Sequence, residues 1–207
     1  MAIQRVATLV TAGVLGAALS ASALPINMSF ELGTTGWTVT PNGGVVQVVG
    51  SHNGDQGVTY LPQHGSSFAL VLTGNAGTEG ATLRQDFTVN DGDIVAGAAA
   101  FDARDYLPFD DFAWVRIYDS EGAQFLEPWT SSVSLVGDYG DGPWTRWEWT
   151  VGAGEGGSYT LEYGIINVGD SAFDSYATFD AVPEPGTLLL LGSGLTALAM
   201  RRRRRSA

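Results

Sequence analysis

The residues best suited to bind a ligand lie on one short stretch, residues 112–118, which alternates in two-residue steps. One face would carry Phe112, Trp114, Arg116 and Tyr118, and the other Ala113, Val115 and Ile117. If the aliphatic face is the core, the rings lie outward, where they can stack on the C–H faces of sugars while Arg116 donates to hydroxyls. If the aromatic face is the core, Arg116 must be buried and paired at a cost, or lie at the sheet rim.

The sequence contains few of the residue types that most catalytic sites use. The only histidines, His52 and His64, both lie beside turn residues, which argues against a Ser-His-Asp triad or a histidine-rich zinc site. There is no cysteine, which excludes disulfides, thiolate metal sites and cysteine nucleophiles. The acids that could form a glycosidase pair are Asp102 with Asp105 and Asp110 with Asp111. Because neighbouring acids in a glycine-rich acidic domain are more often loop charges, we predict that the protein is not an enzyme.

The charge of the chain is concentrated by region. Arg5, the arginines at 201–205 and Glu184 lie outside residues 24–182, which leaves 4 arginines against 21 acids and a net charge of −17 in that central part. A field of this sign repels phosphate backbones and attracts divalent cations. We therefore expect no nucleic-acid partner.

The N-terminus has the features of a secretory signal peptide. Arg5 precedes an apolar run at residues 6–19, and Ala21-Ser22-Ala23 forms an A-x-A cleavage site. The alternative is an uncleaved anchor, but the run is short and the small residues stand where signal peptidase requires them. We predict that residues 1–23 are removed and that the mature chain starts near Leu24.

The last 25 residues contain three elements in a fixed order. Pro183 and Pro185 favour an extended segment. Residues 187–200 are uncharged, but at about 1.5 Å per residue a helix there spans about 21 Å, so it crosses a ~30 Å hydrocarbon core only with flanking residues or a thinned bilayer. The chain then reaches the basic run Arg201, Arg202, Arg203, Arg204 and Arg205. We predict a transmembrane helix with the arginines cytoplasmic and residues 24–182 on the other side; a final core helix of the domain is the alternative.

This order of elements resembles a known sorting signal. The segment Val182-Pro183-Glu184-Pro185, the apolar helix and the arginines are similar to the PEP-CTERM signal of Gram-negative bacteria, which is read by an exosortase, a membrane-embedded cysteine transpeptidase. The resemblance implies processing at the Pro-Glu-Pro motif, transient anchoring in the inner membrane, and sorting to the cell envelope or exterior. Organisms with this signal often make exopolysaccharide, and the resemblance implies such a host.

The central part predicts an all-β domain. Period-two alternation recurs at residues 37–39, 45–49, 67–72, 81–89, 94–101, 112–118, 144–151, 159–168 and 176–182. Clusters of Gly, Asn and Asp separate these strands. Nine such strands in one domain, residues 24–182, indicate a two-sheet sandwich of the jelly-roll type.

Short motifs in the domain resemble the jelly-roll modules of the galactose-binding and carbohydrate-binding type. They are NMSFE at 27–31 with Gly36-Trp37, LRQDF at 83–87 and DSYATFDAV at 174–182. The resemblance implies sugar binding and, in many such modules, a structural Ca²⁺ that links the first and last strands. Glu31 and Asp180 are the matching acids, and carbonyls of residues 50–55 could complete the oxygen ligands. Alternatively, both acids are only solvated or hydrogen-bonded at strand ends.

The sequence therefore predicts an exported protein of the cell envelope, surface or extracellular matrix. Its expected partners are signal peptidase, an exosortase, the inner membrane and exopolysaccharide. We expect the β-sandwich to bind carbohydrate, and the alternative is a structural surface or biofilm component without a small ligand.

Overall fold

The computed structural model describes residues 22–74 and 80–182. Its strands, in chain order, are β1 (Thr38–Thr40), β2 (Val45–Val49), β3 (His52–Asn53), β4 (Thr59–Tyr60), β5 (Phe68–Leu72), β6 (Ala81–Val89), β7 (Ile94–Asp102), β8 (Phe112–Asp119), β9 (Phe125–Ser132), β10 (Thr145–Thr150), β11 (Gly157–Ile166) and β12 (Tyr176–Ala181). One short helix, α1 (Val133–Val136), follows β9.

The strands form two five-stranded antiparallel sheets. Sheet A has the order β1-β6-β11-β8-β9 and sheet B the order β10-β7-β12-β5-β2, while β3 and β4 make a small hairpin. From β5 to β12 the chain passes between the sheets at every connection except the β8–β9 hairpin. The predicted all-β jelly-roll sandwich is confirmed, and each of the nine predicted strands is present to within one to two residues at its ends.

The predicted targeting segments lie largely outside the described residues. Ala21 and the rest of residues 1–21 fall there, as do Pro183, Glu184, Pro185, the proposed membrane helix and the arginines Arg201 to Arg205. Within the described ranges, no helix has the length and apolar character needed to cross a bilayer. Ala23, the last residue of the predicted signal peptide, exchanges two backbone hydrogen bonds with Thr88 on β6.

An aromatic stack crosses the core between the sheets. The ring of Tyr163 on β11 lies parallel to that of Phe179 on β12, with centroids 4.5 Å apart. On its other side Tyr163 stacks on Trp37 at 5.0 Å, and Trp37 stacks on Phe30 at 5.3 Å. All four rings are buried. The residues before β1 are therefore held to β11 through aromatic contacts, and Tyr163 continues the stack to β12.

Asn27 stabilises the turn that contains Phe30 and precedes Trp37. Its backbone has a φ of 51°, which asparagine tolerates better than most residues. Its side-chain NH2 group donates to the backbone carbonyls of Gly33 and Thr35 at 2.9 and 3.0 Å. Its side-chain oxygen, Oδ1, accepts from the Leu32 N–H at 3.1 Å. One side chain thus satisfies the backbone of residues 32–35, which explains why an asparagine opens this segment.

Candidate functional site

The outward face of sheet A carries the predicted ligand-binding residues. Ala113, Val115 and Ile117 are buried in the core, so the alternating side chains of β8 point away from sheet B. This face consists of Arg84 on β6, Glu162 on β11, Phe112, Trp114, Arg116 and Tyr118 on β8, and Phe125 and Glu127 on β9. We call it the sheet A face.

Glu162 lies at the centre of the sheet A face. The strand register places it directly between Arg84 and Arg116. It is only 1% exposed. Arg84 pairs with its Oε2, while its Oε1 accepts from Trp114 Nε1 at 2.6 Å and from the Tyr118 hydroxyl at 3.2 Å. Burial, and next the charge of Glu162, raise the pKa of Tyr118, so its hydroxyl stays protonated and donating.

Trp114 is covered on both sides although it lies on the outward face. Its indole rests on Gly164 of β11, where a Cβ would come within 2.3 Å of the ring. The Arg116 guanidinium lies 4.5 Å above the ring centroid. Trp114 is therefore 5% exposed and supports the face instead of offering its ring to solvent.

Phe125 provides the exposed ring that the sequence did not indicate. The Arg116 guanidinium is held between Trp114 and Phe125, 4.7 Å from the Phe125 centroid, and its Nε donates to Glu127 at 2.7 Å. Phe125 also packs on Tyr118 at 5.4 Å and remains 50% exposed. Together these residues make a strip with one half-exposed ring and one arginine, and the second arginine, Arg84, lies beside it with its guanidinium 5.7 Å from the Tyr118 ring centroid. The turn at Glu121-Gly122, followed by the apolar Phe125, is the signal that could have revealed this hairpin.

The predicted calcium ligands Glu31 and Asp180 contact the same loop. Glu31 accepts from the backbone N–H groups of Ser66 at 2.6 Å and Ser67 at 2.9 Å, and hydrogen bonds led by those from Ser66 lower its pKa to about 2. Asp180 accepts from the N–H groups of Gln63 and His64, while burial raises its pKa to about 6. The two acids therefore lie at either end of residues 63–67, and calcium at this pair stays a prediction.

The loop at residues 50–55, the predicted source of further calcium ligands, contacts a different acid. The backbone N–H of Asp55 donates to Asp102 at 3.2 Å, and His52 Nε2 lies 2.8 Å from the same carboxylate. No group of three or more His, Cys, Asp or Glu side chains suited to a metal ion occurs within residues 22–74 and 80–182.

Asp102 fixes the β3–β4 hairpin to sheet B. Burial alone would raise its pKa, but the His52 hydrogen bond and the charge of Arg104 act against it and leave the pKa below its ordinary value. His52 is stacked on Tyr60 and Tyr176, at 5.8 and 4.8 Å. This histidine and its aspartate therefore form a structural contact.

The other acids weighed for catalysis are also engaged within the domain. Asp110 accepts from the Ser134 N–H at 2.7 Å. Asp105 and Asp111 are fully buried, and burial raises the pKa of Asp111 to about 6. Absence of catalytic activity remains a prediction.

Several solved structures are similar to this chain, while the curated proteins include no match to it. TmCBM61 in complex with beta-1,4-galactotriose is 15% identical, with 78% of this chain and 96% of that chain covered and a TM-score of 0.44. A family 16 carbohydrate binding module is 15% identical, with coverage of 77% and 97% and a TM-score of 0.40. The enzymatically active domain of bacteriophage CBA120 tailspike protein 4 is 12% identical over 75% of this chain, at a TM-score of 0.44, and this chain spans 20% of that one.

The C-terminal residues match a described family. Residues 181–205 match the family described as PEP-CTERM protein-sorting motif. The matched range begins at the last residue of β12 and ends with the arginine run. This match confirms the predicted sorting signal and export to the cell surface or exterior: the chain carries a PEP-CTERM protein-sorting motif at its C-terminus.

Proposed function

We propose that this chain is an exosortase-processed protein of the cell envelope or extracellular matrix whose sandwich binds polysaccharide on the sheet A face. The observation that carries the binding proposal is the strip in which the half-exposed Phe125 ring lies beside Arg116 and Tyr118. A sugar ring presents a C–H face that suits an aromatic surface and hydroxyls that suit guanidinium and phenol groups. The strip contains both kinds of group: the Phe125 ring suits the C–H face, and Arg116 and Tyr118 suit the hydroxyls.

Preorganisation supports the proposal. Glu162 holds Arg84, Trp114 and Tyr118 through one buried carboxylate, so these side chains lose little freedom when a ligand binds. Arg84 nevertheless keeps 53% of its side chain exposed. A polysaccharide would therefore meet an Arg84 guanidinium that is already fixed in position by Glu162.

The charge of the face also fits a saccharide. The sheet A face holds two of the four arginines in residues 24–182, and each is paired with a glutamate. The charges of these two pairs thus cancel, and Asp86, two residues after Arg84 on the same side of β6, adds one negative charge, on a domain that carries −17. Polysaccharides with some acidic sugars meet less repulsion here than they would on a strongly acidic surface.

A structural surface component without a small ligand is the second candidate. Two features of the sheet A face favour it: the Trp114 ring is covered, and Arg116 is already paired with Glu127. Such a face could be complete without a ligand.

Phe125→Ala is expected to weaken polysaccharide binding about tenfold, because it removes the exposed stacking ring. Affinity gel electrophoresis of the purified chain in gels containing exopolysaccharide of the producing host measures this. Phe173→Ala is the matched control, since Phe173 is a similarly exposed ring in the β11–β12 connection, and its mobility should equal that of wild type. If wild type migrates equally with and without polysaccharide, the structural alternative is favoured.

Mass spectrometry of the chain from its producing host should find a C-terminus near Pro185. The expected reason is cleavage at the Pro-Glu-Pro motif within the matched residues 181–205. A host strain without exosortase activity provides the control and should retain Arg201 to Arg205. Mature protein that keeps these arginines in the unmodified host contradicts the processing proposal.

A further inference from the structure

Four polar side chains point into the gap between the sheets at one end of the sandwich. They belong to Asp105, Asp111, Asn167 and Ser175, and each is at most 1% exposed. The register of β11 and β8 ends at the pair Ile166–Phe112, so Asn167 and Asp111 are the next residues of the two chain segments, and the Val168 N–H donates to Asp111 at 2.8 Å. Because strand side chains alternate, both share the inward side with the core residues Ile165 and Ala113.

Asp105 and Ser175 reach the same gap from sheet B. The last register pair there joins Tyr176 to Asp102, so Ser175 lies just beyond it on the inward side of β12. The Ser175 hydroxyl donates to Asp111 at 2.7 Å and so connects the two sheets. The backbone N–H of Arg104, the residue before Asp105, donates to the same Ser175 hydroxyl at 3.4 Å, which brings Asp105 to this cluster.

Two buried oxygens of this cluster accept no hydrogen bond from the described residues. Asp111 is satisfied by Ser175 and by the Val168 N–H at 2.8 Å. Asp105 Oδ1 accepts from the Tyr106 N–H at 2.8 Å, but its Oδ2 has no partner among the described residues. Asn167 uses its amide group to donate to the Phe173 carbonyl, and its Oδ1 likewise lacks a partner there. Buried acceptors of this kind are rare in folded proteins because each carries a desolvation cost.

A ligand that contacts these two oxygens would also have to offset the charge of two buried carboxylates. A water molecule could donate to both oxygens, but it would leave two carboxylates repelling each other in the interior. The neighbouring Arg104 cannot compensate, since its guanidinium is engaged by Asp102 and the Asn53 carbonyl. A divalent cation meets both needs, and calcium selects carboxylate, amide and carbonyl oxygens without requiring strict geometry.

We infer that Asp105, Asp111 and Asn167 form a calcium site between the two sheets, independent of the polysaccharide proposal. Two carboxylates balance the charge of the ion, and the amide Oδ1 of Asn167 adds a neutral ligand. The site is separate from the Glu31–Asp180 pair, because Ser175 and Asp180 lie at opposite ends of β12.

This ion would join the loops that carry an exposed aromatic cluster. Tyr106 follows Asp105 directly and contacts the rings of Phe109 and Phe173 at 5.6 and 6.5 Å. The Tyr139 N–H donates to the Asp105 carbonyl at 2.9 Å, and its ring lies 5.8 Å from that of Tyr106. Calcium at Asp105 and Asn167 therefore fixes all three connections at this end of the sandwich.

Titration of the purified full chain with calcium alone, after EDTA treatment, tests the site. Calcium is expected to raise the melting temperature of wild type, and Asp105→Asn should weaken calcium binding at least tenfold by calorimetry. In EDTA, Asp105→Asn should melt at or above wild type, because it removes one of two repelling buried carboxylates. That result separates loss of the site from failure to fold.

Two further variants distinguish this site from the other acid pair. Asn167→Asp adds a third carboxylate, so it should melt lower than wild type in EDTA and bind calcium more tightly. Glu31→Gln is the matched control and should keep the calcium-induced shift that depends on Asp105. Absence of any shift in wild type, or a shift that Asp105→Asn retains in full and Glu31→Gln abolishes, would overturn the inference.

Discussion

Tyr163→Ala is expected to lower the free energy of unfolding by about 4 kcal/mol, the largest effect we predict for a single substitution. Tyr163 is fully buried and contacts Trp37, Phe179 and Trp147, so truncation opens a cavity between the sheets and removes the ring stacking of β11 on β12. Equilibrium denaturation in urea, followed by tryptophan fluorescence, measures the loss.

Tyr163→Phe is the control for this prediction. The Tyr163 hydroxyl is buried and has no hydrogen-bond partner among the described residues. Removing it relieves a desolvation cost while keeping the ring, so stability should be unchanged or higher by up to about 1 kcal/mol. A clear loss of stability in this variant would contradict this, because it would show that the Tyr163 hydroxyl forms a hydrogen bond that stabilises the core.

Glu162→Ala is expected to cost about 3 kcal/mol, the second largest effect. The change leaves the buried Trp114 Nε1–H and the Tyr118 hydroxyl without their acceptor and Arg84 without its counter-ion. Urea denaturation again gives the free energy, and the emission maximum of the protein should change because the environment of Trp114, one of six tryptophans, opens.

Glu162→Gln separates hydrogen bonding from charge at the same position. Its side-chain carbonyl can still accept from Trp114, while the ion pair with Arg84 is lost. Because Arg84 is half exposed, that pair is screened by solvent and the loss should be about 1 kcal/mol. Equal losses for Gln and Ala would show that charge, not the acceptor geometry, holds the sheet A face together.

The strands were predictable because their alternation is local. Each strand from Val45–Val49 to Tyr176–Ala181 with a clear period of two was found from sequence. Three strands were not predicted: the two-residue strands β3 and β4, and β9. Strand β9 contains Pro128, which argues against a strand in sequence, and the structure places it at the edge of sheet A with an irregular register opposite Val115 and Ile117. The exposed ring of Phe125 was missed together with its strand.

The orientation of residues 112–118 could not be decided from that stretch alone. Alternation defines two faces, but the choice between them depends on β11, which the structure places beside β8. Gly164 leaves room for the Trp114 indole, and Glu162 supplies the acceptor and the counter-charge. These residues lie about 50 positions away in sequence, and only the strand register brings them together.

The cluster of interior acids also could not be predicted from sequence, because Asn167 lies far from Asp105 and Asp111 in the chain. Asp105 and Asp111 resemble ordinary loop charges in sequence, and Asn167 has no local feature that marks it. Their meeting depends on the antiparallel pairing of β8 with β11 and on the packing of sheet A against sheet B. Sequence periodicity predicts which way a strand side chain points, but not which distant side chain it meets.

The end of β12 has a mechanical consequence. This strand is hydrogen-bonded on both sides, to β7 and β5, and it ends at Ala181, one residue before the Val182-Pro183 bond. Tension applied through the C-terminus, from a membrane or from an attached group, would be transmitted along the axis of this central strand. Extraction would require its hydrogen bonds to both neighbours to shear together, so the domain should resist tension at this attachment point better than it would if an edge strand carried the load.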